Sequence, residues 1–198
     1  MSFAAAFYNF SITLNNAEQG VFCRFRIKVP LHPLESLEHL SARMLAFTHC
    51  YREGQAFSSV LFEPKEPTIW HKDVTGDVLL WAQVGCPDRK KLEHSLRSAP
   101  LAEHRIYFFH PKQVPEFCHM LRGSKTNWVQ DIQFFMLPEN IIAELVPLSR
   151  SSPEWLVTYI DDRLYLTCDG AEFEGELRSI DIWSCYQDYL LQEQPAAD

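Results

Sequence analysis

Residues 6 to 14 alternate in character: Ala6, Tyr8, Phe10, Ile12 and Leu14 are interleaved with the polar Asn9, Ser11 and Thr13. After the polar stretch NNAEQG, Val21, Cys23, Phe25, Ile27 and Val29 alternate with Arg24, Arg26 and Lys28. Period two on both sides of a turn predicts an antiparallel hairpin with one wet face, basic along its second strand. The opening MSFAAAFYNF lacks a basic n-region and is read as the start of that strand, not as a signal peptide.

His32-Pro33 leads into ESLEHLSARMLAFTHC, where Leu37, Leu40, Met44, Leu45 and Thr48 trace a helical stripe. Glu35, Glu38, His39 and Arg43 fall on the opposite side. Glu35 and Glu38 are three apart, which places both on one face in the first turns, where carboxylates suit the helix dipole. Further on, strands are expected near 68–73 and 77–84, about a Thr75-Gly76 turn. Pro87-Asp88 opens a helix, RIYFFH is a buried strand, KQVPEFCHML a short helix and IQFFML another strand. Pro138 opens a helix that stops before Pro147. WLVTYI-DDR-LYLTC followed by ELRSIDIW reads as a terminal β meander.

Strands alternating with helices in the middle, with hairpins at both ends, predict a mixed α/β or α+β domain around one sheet. A single domain is expected over residues 1–191. Residues 192–198 (QEQPAAD) have too little large apolar surface to pack and are expected to be a disordered tail.

Composition narrows the classes. The 198 residues are 46% hydrophobic and 22% charged, as in ordinary globular domains. A net charge of −8 argues against nonspecific grip on a nucleic-acid backbone as the main role. Six cysteines without a C-x-x-C pair fit neither a zinc ribbon nor a redox motif. No apolar run reaches membrane-spanning length, so a cytoplasmic protein with reduced thiols and no membrane partner is expected.

The usual catalytic signatures are missing: no Gly-rich phosphate loop, G-x-S-x-G, H-E-x-x-H or H-x-E…P-C-x-x-C. Cys118, His119 and His110 lie near one another in sequence but lack ligand spacing. The richest segment is EPTIWHKDVTGDVLLWAQVGCPD, residues 66–88. On its second strand Asp77, Leu79, Trp81 and Gln83 share one face; on the first, Thr68, Trp70 and Lys72 do. A polar row of Thr68, Lys72, Asp77 and Gln83 could line one side of the sheet, with Glu35 and Glu38 approaching it. Converging carboxylates are what a Mg²⁺-dependent phosphodiesterase requires, because a hard ion takes several oxygen ligands.

That segment, with HPLESLEHLSARMLAF before it, resembles the YaeQ family. The family shows a helix opening HP-x-E-x-x-E, matched by His32, Pro33, Glu35 and Glu38, with Arg43, Leu45, Ala46 and Phe47 following. Its second segment is matched by Glu66, Pro67, Trp70, Lys72, Asp73, Thr75, Gly76, Trp81, Val84, Gly85, Pro87 and Asp88. The resemblance covers nearly the whole chain. It implies a variant of the PD-(D/E)xK, restriction-endonuclease-like fold: a central mixed sheet flanked by helices, with an added N-terminal hairpin and C-terminal strands. In that superfamily two acids and a lysine gather round a divalent metal, sometimes with a helix glutamate.

This chain departs from the pattern at the acids. Thr68 stands where the family has Asp after Pro67, and Gln83 where it has the second acid. Gly85 occupies the place of the superfamily lysine, and His94 that of a lysine on the following helix, with Lys90 and Lys91 one turn earlier. Asp73, Lys90 and His94 complete the cleft candidates. The leading expectation is a catalytically degenerate module that binds nucleic acid or protein, with no certain cofactor. The alternative is a divergent nuclease using Mg²⁺ or Mn²⁺ held by Glu35 and Asp77, assisted by Glu38 and Lys72 or Lys90. A second alternative is a protein-interaction module with an aromatic surface.

Overall fold

The computed structural model describes residues 6–59, 65–123 and 127–192. Among the described residues, eleven strands and five α-helices form two sheets, and the chain divides into two compact units, Met1–Tyr51 with Leu137–Arg178, and Arg52–Met136 with Ser179–Asp198.

In the first unit, β1 (Ala6–Asn16) and β2 (Val21–Leu31) form the expected antiparallel hairpin. The terminal strands β8 (Glu154–Ile160), β9 (Arg163–Cys168) and β10 (Ala171–Glu176) do not extend a central sheet. They join the hairpin, because β8 pairs in parallel with β1, giving the order β10-β9-β8-β1-β2. The expectation of one sheet with appended strands is therefore corrected to two mixed sheets. A parallel pairing between elements some 140 positions apart leaves no local signature in the chain. The β8–β9 turn has Asp161 and Asp162 at φ 49° and 60°, a conformation that Asp tolerates better than most residues.

Phe10, Ile12 and Leu14 of β1 and Trp155, Val157 and Tyr159 of β8 form the buried side of this sheet. Phe10 and Trp155 meet edge to face at 5.1 Å, a favoured aromatic geometry. Helices α1 (Leu37–His49) and α4 (Glu139–Leu145) belong to the same unit. Tyr159 Oη lies 2.9 Å from Thr48 Oγ1 and 3.0 Å from Leu45 O, tying α1 to β8. Burial pushes the Tyr159 phenol well above its ordinary value.

In the second unit the sheet order is β11-β7-β6-β5-β4-β3. Here β3 is Ala56–Phe57, β4 Ile69–Lys72, β5 Val78–Val84, β6 Glu103–Phe108, β7 Ile132–Met136 and β11 Arg178–Ser179. The pairs β5–β6 and β6–β7 are parallel, and the β4–β5 hairpin is antiparallel. Trp81, Ile106, Phe108 and Phe134 pack against Leu92 of α2 (Arg89–Ser98) and Phe117 and Leu121 of α3 (Gln113–Leu121). The segment IWSCYQDYLLQ, whose first two residues end the expected meander ELRSIDIW, is helix α5 (Ile182–Gln192). Asp181 starts it by accepting from Trp183 N and Ser184 N, both at 3.1 Å. Ile182 and Tyr186 bury a helical stripe against the same core. Gln192 thus ends a helix, and the rest of the expected disordered tail, 193–198, lies outside the described residues.

Candidate functional site

The β4–β5 hairpin carries most of the candidates, and its register separates them. Trp70 stands opposite Trp81, and Ile69 opposite Ala82, before a bulge between His71 and Lys72 shifts the pairing. Asp77 and Gln83 have the same parity, but six residues at ~3.3 Å each put them about 20 Å apart. The polar row expected from the sequence therefore splits into two ends of one hairpin. No single ion spans them, since Mg²⁺ binds oxygens at ~2.0–2.1 Å.

At the turn end, Asp73 organises the chain. Its Oδ1 accepts from Thr75 N and Asp77 N at 2.9 Å each, and lies 2.6 Å from the Thr75 hydroxyl. The Thr75 hydroxyl bond, with help from the backbone N–H groups, holds the Asp73 carboxyl below the usual range. Asp77 Oδ2 is 3.0 Å from the same hydroxyl. Gly76 closes the turn at φ 92°, in the left-handed region where a side chain is strained. Lys72 lays its ammonium 3.6 Å from the centroid of the Trp70 ring, a cation–π contact.

At the other end, where parallel β5 and β6 finish, Thr68 is 5% exposed and its Oγ1 accepts from Val84 N at 3.1 Å. The hydroxyl thus serves as a backbone cap continuing the β4–β5 ladder. Gln83 donates from Nε2 to Val84 O at 3.0 Å, while its buried Oε1 has no hydrogen-bond partner. Gly85 follows at φ 83°, its N–H donating to Tyr107 O at 2.9 Å. Gln113, at the start of α3, accepts from Phe109 N at 2.8 Å and His110 N at 3.1 Å. It therefore fixes the loop leaving β6. The sequence offered no pointer to Gln113 beyond its place at a helix start. Next to Gly85, desolvation and then the Glu116 charge push the Cys86 thiol up to about 11, so it is protonated at neutral pH.

Asp88 N-caps α2, accepting from Lys91 N at 2.9 Å. Lys90 and His94 lie four residues apart on that helix and so share a face. Lys90 is exposed and His94 half-buried.

In the first unit, Glu35 departs from the sequence reading. It precedes the α1 N-cap, Ser36, instead of sitting in the first turn. Its carboxylate is fully engaged: Oε1 lies 2.6 Å from Arg43 Nε and 2.7 Å from His39 Nδ1, and Oε2 2.8 Å from Arg43 Nη2. Arg43, expected on a polar side, is 2% exposed and also donates to Pro30 O at 3.0 Å. Burial lowers its guanidinium pKa and the Glu35 charge raises it, the first effect being larger; arginine stays charged regardless. Glu38 is an exposed first-turn residue of α1. Glu35 and Glu38 therefore share neither environment nor role.

Among the described residues, no three His, Cys, Asp or Glu side chains are grouped to hold a metal ion. The donors do not fit a divalent cation: Thr68 and Gln83 are neutral, Asp73 closes a turn and Glu35 neutralises a buried arginine. No helix among the described residues is long and apolar enough to cross a membrane.

Two mixed sheets, five helices among the described residues and the motif-bearing hairpin define an α+β protein matching solved YaeQ structures. One, from Pseudomonas syringae, superposes with a TM-score of 0.77 at 22% identity, covering 90% of this chain and 97% of the other. Another, from Xanthomonas axonopodis pv. citri, gives 0.79 at 18% identity, with 89% and 98% covered. The uncharacterised YaeQ protein of Escherichia coli (strain K12) is 23% identical over 177 residues, 89% of this chain and 96% of that protein. The family model described as YaeQ protein matches residues 1–177, and this chain belongs to that family.

Proposed function

We propose that this protein is a catalytically degenerate member of the PD-(D/E)xK nuclease-like superfamily that acts as a binding or regulatory module. Its ligand is nucleic acid or protein. The observation that carries this reading is the Thr68–Val84 hydrogen bond. At the position where the family pattern has an acid, a neutral hydroxyl is buried and used as a backbone acceptor. Gln83 supports the same reading, because an amide at the second acid position contributes no formal charge and Mg²⁺ sheds its water reluctantly for neutral ligands. Glu35 and Asp77 are committed to an ion pair and a turn, so neither replaces the missing charges.

The test is a gel series with labelled single- and double-stranded DNA and RNA, in Mg²⁺, Mn²⁺ or EDTA at two salt concentrations. A salt-sensitive shift without cleavage is expected if the ligand is nucleic acid. Neither shift nor cleavage would direct the search to a protein partner. Metal-dependent cleavage abolished by Asp77→Ala would sink the degenerate reading.

A further inference from the structure

The sheet of the first unit has a second face, formed by the alternate residues that point away from its buried side. Of the large apolar side chains exposed in this protein, Phe7, Phe22, Leu156, Ile160 and Tyr165 lie on this face, at 39–68% exposure. Its two edge strands carry opposite charge. Arg24, Arg26 and Lys28 line β2, and Glu172, Glu174 and Glu176 line β10, all of them exposed.

The strand registers connect these edges. Arg24 pairs with Thr13, Thr13 with Leu156, Leu156 with Thr167, and Thr167 with Glu172. One row across the face thus reads base, hydroxyl, leucine, hydroxyl, acid. Turned over about an axis through Leu156 that lies in the face and is inclined to the strands, the face brings its basic stripe over the acidic stripe of its copy, Arg26 nearest Glu174, with Leu156 against Leu156. This is the self-complementarity of a two-fold interface, in which residue i meets j and j meets i.

We infer that this face docks a second copy of the chain, forming a homodimer with its two-fold axis lying in the interface near β8. From the shared row the basic stripe continues towards the start of β8 and the acidic stripe towards its end. The axis is therefore inclined to the strands, and the two sheets cross. Edge charges alone also discourage strand pairing, but that role leaves the apolar side chains between them without a purpose. Five strands of six to eleven residues, at ~3.3 Å per residue and ~4.8 Å between strands, offer roughly 650 Å² in projection. A standard specific interface takes ~800 Å² per partner, so the face is of suitable size. Local charges on it already show restrained geometry: Arg24 Nε donates to Thr13 Oγ1 at 3.1 Å, Lys28 lies 4.3 Å from the Phe7 ring centroid, and Arg163 pairs with Glu174.

The experiment is the solution mass by light scattering of the full chain and two charge-reversed variants, Arg24→Glu/Arg26→Glu and Glu172→Lys/Glu176→Lys. The wild type should run at about twice its 23.0 kDa chain mass. Each variant alone should fall to the monomer mass, and their equimolar mixture should return to the dimer mass. That recovery also shows that both variants are folded. Leu156→Cys in a Cys86→Ser background should give a disulfide-linked dimer under mild oxidation, a readout independent of charge reversal. A wild type that stays monomeric, or a dimer unaffected by either reversal, overturns the inference. So does a monomer that retains single-stranded RNA through Arg24 and Arg26, which would assign the basic stripe to nucleic acid.

Discussion

Arg43 reaches back from the middle of α1 to Glu35, ahead of the helix, with Nε 2.6 Å and Nη2 2.8 Å from the two carboxylate oxygens. Both side chains are out of solvent, at 2% and 0% exposure. The pair, with His39 as a third member, anchors the entry to α1. It gives the first Glu of HPLESLE a structural role.

Removing one member of a buried pair strands the other charge, which typically costs about 3–5 kcal/mol. Glu35→Gln and Arg43→Met should each lower unfolding stability by that order, and the double variant by less than the sum. Glu38→Ala, at an exposed site, should stay within about 0.5 kcal/mol. Urea denaturation of the four proteins decides it. Equal effects at positions 35 and 38 would contradict the separate roles described above.

Two glycines should fail for different reasons. Gly76 has open space around its Cα but a φ of 92°, so Gly76→Ala should cost about 1–2 kcal/mol through backbone strain. Asn, which tolerates that region, should recover part of the loss. Gly175 has no positive φ, yet an added Cβ would lie 2.5 Å from Pro138 Cβ. Gly175→Ala should cost about 1–3 kcal/mol by overpacking, and Asn should be worse than Ala. Melting curves of the four variants give the two rank orders.

Restoring the acid at position 83 should not restore stability. Gln83→Glu removes the Nε2 donor to Val84 O and places a carboxylate where a buried oxygen already lacks a donor. Burial without a donor raises a carboxyl pKa. The variant should therefore be less stable than wild type at pH 7 and regain part of the deficit towards pH 5. Thermal unfolding across that range checks it, and a variant at least as stable as wild type at pH 7 would show an undetected donor at this site.

His104 is 2% exposed, with Nδ1 2.9 Å from Ala102 O. Burial, only partly offset by its hydrogen bonds, lowers its pKa below the ordinary 6.5. The unfolded chain then takes up this proton more readily than the folded one. Stability from this group is complete above pH 6.5 and declines as pH falls from there towards the folded value. His104→Asn should flatten that part of the stability–pH curve, as followed by denaturation at pH 5 to 8. An unchanged slope would mean that His104 titrates alike in both states.

Much of the local structure was legible in the chain. Alternation gave away the N-terminal hairpin, and Thr75-Gly76 announced the β4–β5 turn. Proline and Asp88 marked the helix starts. The candidate site was less legible: the motif located Thr68, Lys72, Asp77 and Gln83 on one hairpin, but shared parity is not proximity. Glu35 and Arg43 misled the helical reading because a buried ion pair looks, in sequence, like two solvated charges. Helix α5 was hidden by its strand-like Ile182 and Trp183; the burial of Ile182 depends on α3 and the sheet beneath.

What the chain settled by itself was the set of elements whose physics is local: side-chain period, turn conformation, helix capping and overall charge. Those terms act between residues a few positions apart, so they can be read without knowing the fold. The pairing of β8 with β1, the division into two sheets, the commitment of Thr68 to a backbone N–H and the opposed charges of β2 and β10 were decided by tertiary structure. Each depends on which distant segments meet, and that is set by the collective burial of apolar surface across the chain.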